Sequence, residues 1–451
     1  MSPFSTHHLD RRSFLSLAAL GAGAATLAAC GGPSTGSGAA TAQADLDFSG
    51  VKPASTITFW SNHPGKSEEV EKSIIAKFHA AQSDIRVNMV TAGANYEEVA
   101  QKFQTAQQGG ELPNVVIFSD AWWFRYFLNG SIIPLDGVFE QLNVSTSDYR
   151  KQLLADYQYA GKQWAVPYAR STPLFYYNKN HFKAAGLPDR APKTWQEFAQ
   201  WAPRIKAANP GIQNVYQHPA LADYAGWTLQ NQLWGEGAAW SDKFSLTANS
   251  DKTVKAMQMV QDTVYKDKWA GVSSKDASAD LSAGAVSATM SSTGSLVGVL
   301  KAATFDVGVG FLPGGSVNAT NVCPTGGAGL GIPKNNTKEQ QLAAATFLKF
   351  LTSPESTAAF SAATGYMPVR ESADMSAVLA KTPQIRTALD QLAVTRQQDY
   401  ARVFLPGADQ EMAKAAGKIL TQQGDVTAAL GDLQKTLQGI YDTDVKPRLN
   451  A

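Results

Sequence analysis

Four short segments set aromatic rings beside polar or charged groups: "DAWWF" at Asp120–Phe124, "YAGWTLQNQLW" at Tyr224–Trp234, "TGYMPVR" at Thr364–Arg370 and "QDYARVFLPG" at Gln398–Gly407. A lone aromatic residue in a large α/β chain is usually part of the core. Rings placed at element ends beside Ser, Gly, Asp or Arg carry a different implication, because a ligand with polar and apolar faces needs both kinds of group in one cleft. The chemistry on offer is binding. Ring faces hold apolar or cationic groups, carboxylates accept hydrogen bonds from hydroxyls, and a guanidinium pairs with oxyanions.

Patterns for catalysis or metal binding are weak by comparison. Gly65-Lys66-Ser67 resembles the end of a phosphate-binding loop, but Trp60 occupies the position of the required earlier glycine. Ser67 fits better as an N-cap ahead of Glu68–Glu71. The one G-x-S-x-G match, Gly32–Gly36, lies in a Gly/Ser tract without the strand and helix that a nucleophile elbow needs. His63, His79, His181 and His218 are scattered, with no H-E-x-x-H and no cysteine partner, so no zinc site is expected. The pairs Glu68/Glu69 and Glu97/Glu98 sit at expected helix starts, where they complement the macrodipole as solvated faces. Neither a metal nor a cofactor is expected.

The elements that must position the aromatic segments alternate between strand and helix from Thr56 onward. "TITFW", "IRVNMV" and "NVVIFS" read as strands; between them lie a helix with Val70, Ile74, Ile75 and Phe78 inward, and the helix "NYEEVAQKFQTAQQ". This order predicts parallel pairing in an open α/β sheet, with ligands at the carboxyl ends of the strands, near Ser61–Lys66 and Asp120–Trp123. A second α/β region is expected from Pro173, with strand "PLFYYN" and helices at Trp195–Ala208, Asp223–Leu233 and Val254–Trp269. "AVSATMSSTGSLVGVL" reads as strand, turn and helix, "FDVGVGFLP" as a strand, and "CPTGGAGLGIPK" as a strand crossing back between domains. The last third reads as mostly helical, at Lys338–Leu351, Ser353–Ala363 and twice within Gln410–Ile440. A body of about 400 residues predicts two domains.

The N-terminus has the order of an export signal. Arg11 and Arg12 precede an apolar run from Phe14 to Ala29, and Leu27-Ala28-Ala29-Cys30 matches a lipobox. Residues 1–29 are therefore expected as a Tat-like lipoprotein signal, Cys30 as the lipid-modified residue that tethers the protein to a membrane, and 30–54 as a flexible tether. Cys323 is then the one cysteine left in the body, where a small buried apolar role is expected. Lys and Arg number 39 against 38 Asp and Glu, with no basic block, which argues against nucleic acid as a partner.

"VPYARSTPLFYYNK", "AGLPDRAPKTWQEF" and "TGYMPVR", on an exported lipoprotein with two α/β regions, resemble the extracytoplasmic solute-binding proteins of carbohydrate-type ABC importers. More narrowly, "FWSNHPGKS", "YEEVAQKF", "STGSLVG", "CPTGGAGLGIP" and "ALDQLAVTRQQDYARVFLPG" are similar to the actinobacterial UgpB type, which bind glycerophosphodiesters such as glycerophosphocholine. The resemblance implies a two-lobe α/β fold of the maltose-binding-protein type with hinge crossovers. Lobe 1 would span 55–169 plus about 323–368, and lobe 2 would span 170–322 plus about 369–451. It implies a monomer that delivers its ligand to permease subunits. It assigns ligand contact to Tyr96, Asp120, Ser171, Trp227, Ser295, Gly327, Tyr366 and Arg402. Tyr224 is added as a departure: relatives that take glycerol 3-phosphate resemble one another in a Trp there, and those that prefer glycerophosphocholine in a smaller aliphatic. Aromatic platforms with Asp and Arg also suit a di- or oligosaccharide. A secreted phosphodiesterase would need a metal cluster or an activated nucleophile, and the sequence displays neither.

Overall fold

The computed structural model describes residues 46–62 and 65–449, apart from the side chain of Asp223. The expected signal segment, Cys30 and most of the tether lie outside these residues, as does His63. The stretch 46–54, expected as the end of a flexible tether, is instead packed on the body. Phe48 is buried, Ala54 N–H donates to the Glu339 carbonyl at 2.9 Å, and Lys338 Nζ donates to the Asp47 carbonyl at 2.9 Å.

Two five-stranded sheets carry the fold. The first is ordered Arg86–Gly93, Thr56–Asn62, Val115–Ser119, Gly326–Gly331, Val166–Ser171. Its first three strands pair in parallel, because helices Glu68–Ala81 and Tyr96–Ala106 supply the crossovers that parallel neighbours require. Val115–Ser119 is buried along its whole length, as expected for a strand covered on both faces. The second sheet is ordered Ala270–Val272, Asn214–His218, Val286–Ser292, Pro173–Asn178, Val307–Gly310.

The parallel pairing expected of the first three strands is observed, but neither sheet is parallel throughout. Gly326–Gly331 runs antiparallel to both its neighbours, and Pro173–Asn178 runs antiparallel to both of its own. Pro173–Asn178 follows at once from a strand of the first sheet, and Gly326–Gly331 returns from Val307–Gly310 of the second without an intervening helix, so no helical crossover imposes the parallel direction on either. Thr172 alone separates Val166–Ser171 from Pro173–Asn178. It is fully buried, and its carbonyl accepts from Thr293 N–H at 3.0 Å.

Two local expectations are corrected. In helix Glu68–Ala81 the buried positions are Glu71, Ile74, Ile75 and Phe78, while Val70 is only partly buried. Those four follow the i, i+3, i+4, i+7 spacing of one helical face, so an acid occupies a core position. The helix expected over Asp223–Leu233 is two, Leu221–Thr228 and Gln230–Gly235, and the first is kinked at Tyr224 (φ −151°, ψ 22°). Cys323 is buried, in the small apolar role expected of it.

Candidate functional site

The nine residues singled out above stand at element ends. Tyr96 opens its helix behind the Asn95 cap, whose side chain accepts from Glu98 N–H. Asp120 follows strand Val115–Ser119, and its N–H donates to the Gly327 carbonyl at 3.0 Å. Ser171 ends its strand, Tyr224 and Trp227 lie on the kinked helix, and Ser295 closes the 3-10 turn Thr293–Ser295. Tyr366 follows Gly365, which ends helix Pro354–Thr364 in the left-handed conformation (φ +87°). Arg402 sits in the single turn Tyr400–Val403. All nine line one cavity, together with Lys66, Asn95, Glu97, Ser119, Ser292 and Asp409. The space between its atoms, including the part open to solvent, is about 760 Å³.

A buried charge network forms one wall. Arg402 donates from Nε and Nη2 to the two oxygens of Asp409 at 3.2 and 2.9 Å, and from Nη1 to Asp120 Oδ1 at 3.0 Å and to Gln398 Oε1. Burial opposes its charge, but Asp409 and Asp120 outweigh that and push the guanidinium pKa upward. Burial likewise pushes Asp409 above the usual carboxylate range, with Arg402 acting against the shift. Gln398 Nε2 donates to Asp120 Oδ2 at 2.6 Å, and Arg170 Nη1 lies 3.7 Å from that oxygen. Arg170, fully buried, donates to Tyr157 Oη at 2.7 Å and to Asp156. The Asp120 carboxylate is therefore oriented from three sides. A planar cation held this way presents a fixed rather than a searching donor set.

The aromatic residues are fixed just as closely. Trp227 Nε1 donates to the Thr325 carbonyl at 2.8 Å, which lays the indole against Gly326, where a Cβ would collide with it. Tyr224 meets Trp227 edge-on, at 6.2 Å between centroids and 72° between planes. Tyr366 stacks on Phe360 at 5.8 Å, pairs through its hydroxyl with that of Tyr96 at 3.2 Å, and has Lys66 Nζ at 5.4 Å from its ring. Gly327 takes φ +100°, and a Cβ there would run into the Ala169 carbonyl. Only glycine adopts that backbone without strain.

Two sequence readings change here. Glu97 is not a solvated-face acid: it lines the cavity and accepts from Trp122 Nε1 at 2.7 Å and Gln410 Nε2 at 2.8 Å. Burial pushes its pKa upward. Asp409 gave no signal except its distance of seven residues from Arg402, and Glu97 only its place beside Tyr96. Ser67 precedes its helix, but no side-chain cap forms; its hydroxyl donates to the Asn62 carbonyl at 3.0 Å. Ser292 caps the 3-10 turn by accepting from Gly294 N–H at 3.0 Å, and Ser295 makes no such bond. Among the described residues no group of three or more His, Cys, Asp or Glu could hold a metal ion.

The sequence model of the bacterial extracellular solute-binding protein family matches residues 73–387. The crystal structure of UgpB from Mycobacterium tuberculosis in complex with glycerophosphocholine superposes with a TM-score of 0.83 at 43% identity, over 86% of this chain and 99% of that one. The sn-glycerol-3-phosphate-binding periplasmic protein UgpB of Salmonella typhimurium is 30% identical over 350 residues, 73% of this chain and 77% of that protein. Maltose-bound MalE3 of T. maritima, at 23% identity and a TM-score of 0.74 over 86% of this chain, shares the two-lobe α/β fold. With the fold, the family match and the UgpB likeness in agreement, the chain belongs to the bacterial extracellular solute-binding proteins and is UgpB-like within them.

Proposed function

We propose that this protein captures a glycerophosphodiester, glycerophosphocholine above all, and delivers it to the permease of an ABC importer. One observation carries the reading. A single cavity joins a fixed guanidinium and serine hydroxyls, suited to a phosphodiester, to the indole face of Trp227, suited to a trimethylammonium group. The chain is 43% identical to a UgpB crystallised with glycerophosphocholine, which supports the assignment. On this reading the protein is a carrier and not an enzyme, and Tyr96, Asp120, Ser171, Tyr224, Trp227, Ser295, Gly327, Tyr366 and Arg402 contact the ligand.

The lobes divide near residues 170, 323 and 369, so the ligand touches both and favours the closed form through its differential affinity for it. Export with a lipid on Cys30 would keep the carrier beside its permease at the membrane surface. Isothermal titration should show glycerophosphocholine binding, with Arg402→Ala and Trp227→Ala each weakening it at least tenfold, about 1.4 kcal/mol. Unchanged affinity in both variants would remove the proposed pocket. A thermal-shift panel that responded to maltose or trehalose but not to phosphodiesters would favour a saccharide ligand instead.

A further inference from the structure

We propose that Glu97 is a specificity-determining residue that selects ligands whose head group carries a cation. The inference rests on the phosphodiester reading above and deepens it. The charged side chains lining the cavity are Lys66 and Arg402 against Glu97, Asp120 and Asp409. Immediately behind them Arg170 and Asp156 pair with each other. Acidic side chains therefore outnumber basic ones around the cavity, three to two. The Arg402 charge is moreover shared between Asp120 and Asp409 at 3.0 and 2.9 Å, which reduces what it offers a second or third negative charge on a ligand.

Glu97 is placed differently from the other two acids. The donors that hold its carboxylate, Trp122 Nε1 and Gln410 Nε2, are neutral, and Arg402 favours its charge without bonding to it. The aromatic corner of the cavity belongs to the same region. Asp409 lies against the backbone of Gly226, next to Trp227, such that a Cβ on Gly226 would strike its carboxylate. Asp409 in turn acts on Glu97, disfavouring its charged form. Ring faces bordered by carboxylates recognise an ammonium group, whereas a phosphate monoester with two negative charges gains nothing there. A diester with a quaternary or primary ammonium head group brings no net charge and offers its cation to a cavity that the Glu97 carboxylate lines.

The test pairs a change in the protein with a change in the ligand, so that size and burial cancel. Glycerophosphocholine is compared with its carbon isostere, in which a tert-butyl group replaces the trimethylammonium. Titration calorimetry then gives the affinity ratio of the two ligands for the wild type, Glu97→Gln and Glu97→Asp. Gln410 can turn its amide to meet a glutamine at position 97, so the first variant removes charge with little else.

The wild type should prefer the choline ligand. Glu97→Gln should reduce that ratio on the order of tenfold, the effect of one charge a few ångströms away in a partly screened site. Glu97→Asp should retain most of the preference. An unchanged ratio in Glu97→Gln, or an equal loss for both ligands, would overturn the proposal. If the wild type bound neither ligand, the phosphodiester reading itself would fall, a result separate from either outcome.

Discussion

Glu71 offers the sharpest test of how this fold treats a buried acid. It is 1% exposed, accepts from Tyr168 Oη at 3.1 Å and from Ser61 Oγ, and burial pushes its pKa up to about 8 against the pull of those two bonds. In the unfolded chain it titrates near 4.5. Between those values the native state holds a proton that the unfolded state has released, so the acid's contribution to stability falls as pH rises through the window. The slope is at most about 1.4 kcal/mol per pH unit, or on the order of 3 kcal/mol over two units. Glu71→Gln keeps the shape and removes the titration.

Urea unfolding of both proteins at intervals from pH 4.5 to pH 8 should therefore show the variant gaining on the wild type as pH rises. Other groups shift stability across the same range. Asp156 and Asp399 are both pushed up to about 6 by burial, and His218 is pushed down to about 4 by burial, which makes it destabilising as pH falls below its ordinary value of 6.5. They are common to both proteins and cancel in the difference. A difference that stays flat with pH would refute the argument.

Two further substitutions probe the cavity. Gly327→Ala forces a side chain into a backbone at φ +100° against the Ala169 carbonyl; it should cost about 1–3 kcal/mol, read as a lowered midpoint in thermal denaturation, with ligand affinity falling as well. Tyr224→Leu removes a ring that meets Trp227 edge-on and is 37% exposed. Its effect on stability should be within about 0.5 kcal/mol, while calorimetry should find glycerophosphocholine bound several-fold more weakly, because a second aromatic face is lost to the cation. Tighter binding by Tyr224→Leu would mean that the ring narrows the pocket rather than enclosing the head group.

What the sequence made legible depended on distance along the chain. Strand positions followed from β-rich runs between turn residues, and the nine residues that the family resemblance pointed to line one cavity. Glu71 escaped because an acid on an apolar helical face reads as an error in register until its partners are known, and they lie 10 and 97 residues away. Glu97 escaped for a related reason. A carboxylate in the first turn of a helix suits the macrodipole whether it faces solvent or a cleft, and only Trp122 and Gln410, 25 and 313 residues distant, distinguish the two. The antiparallel strands were hidden because their direction is set by where the chain comes from, not by their own composition.

The segment around Thr172 explains why the cavity lies where it does. Ser171 is the last residue of a strand in the first sheet and pairs with Gly326; Pro173 is the first residue of a strand in the second sheet and pairs with Ser292. Strand ends leave backbone groups and short side chains without further ladder partners, and here the ends of two sheets are brought within one residue of each other. Gly327, next to the Ser171 partner, takes a left-handed backbone that a side chain would strain, with the Ala169 carbonyl where a Cβ would stand. Ser292, opposite Pro173, and Ser295 bring hydroxyls from the second sheet's side to the same cavity. A ligand seated there would touch both sheets where the chain passes from one to the other, so the crossing that joins the sheets also gathers the serine hydroxyls a phosphodiester would need.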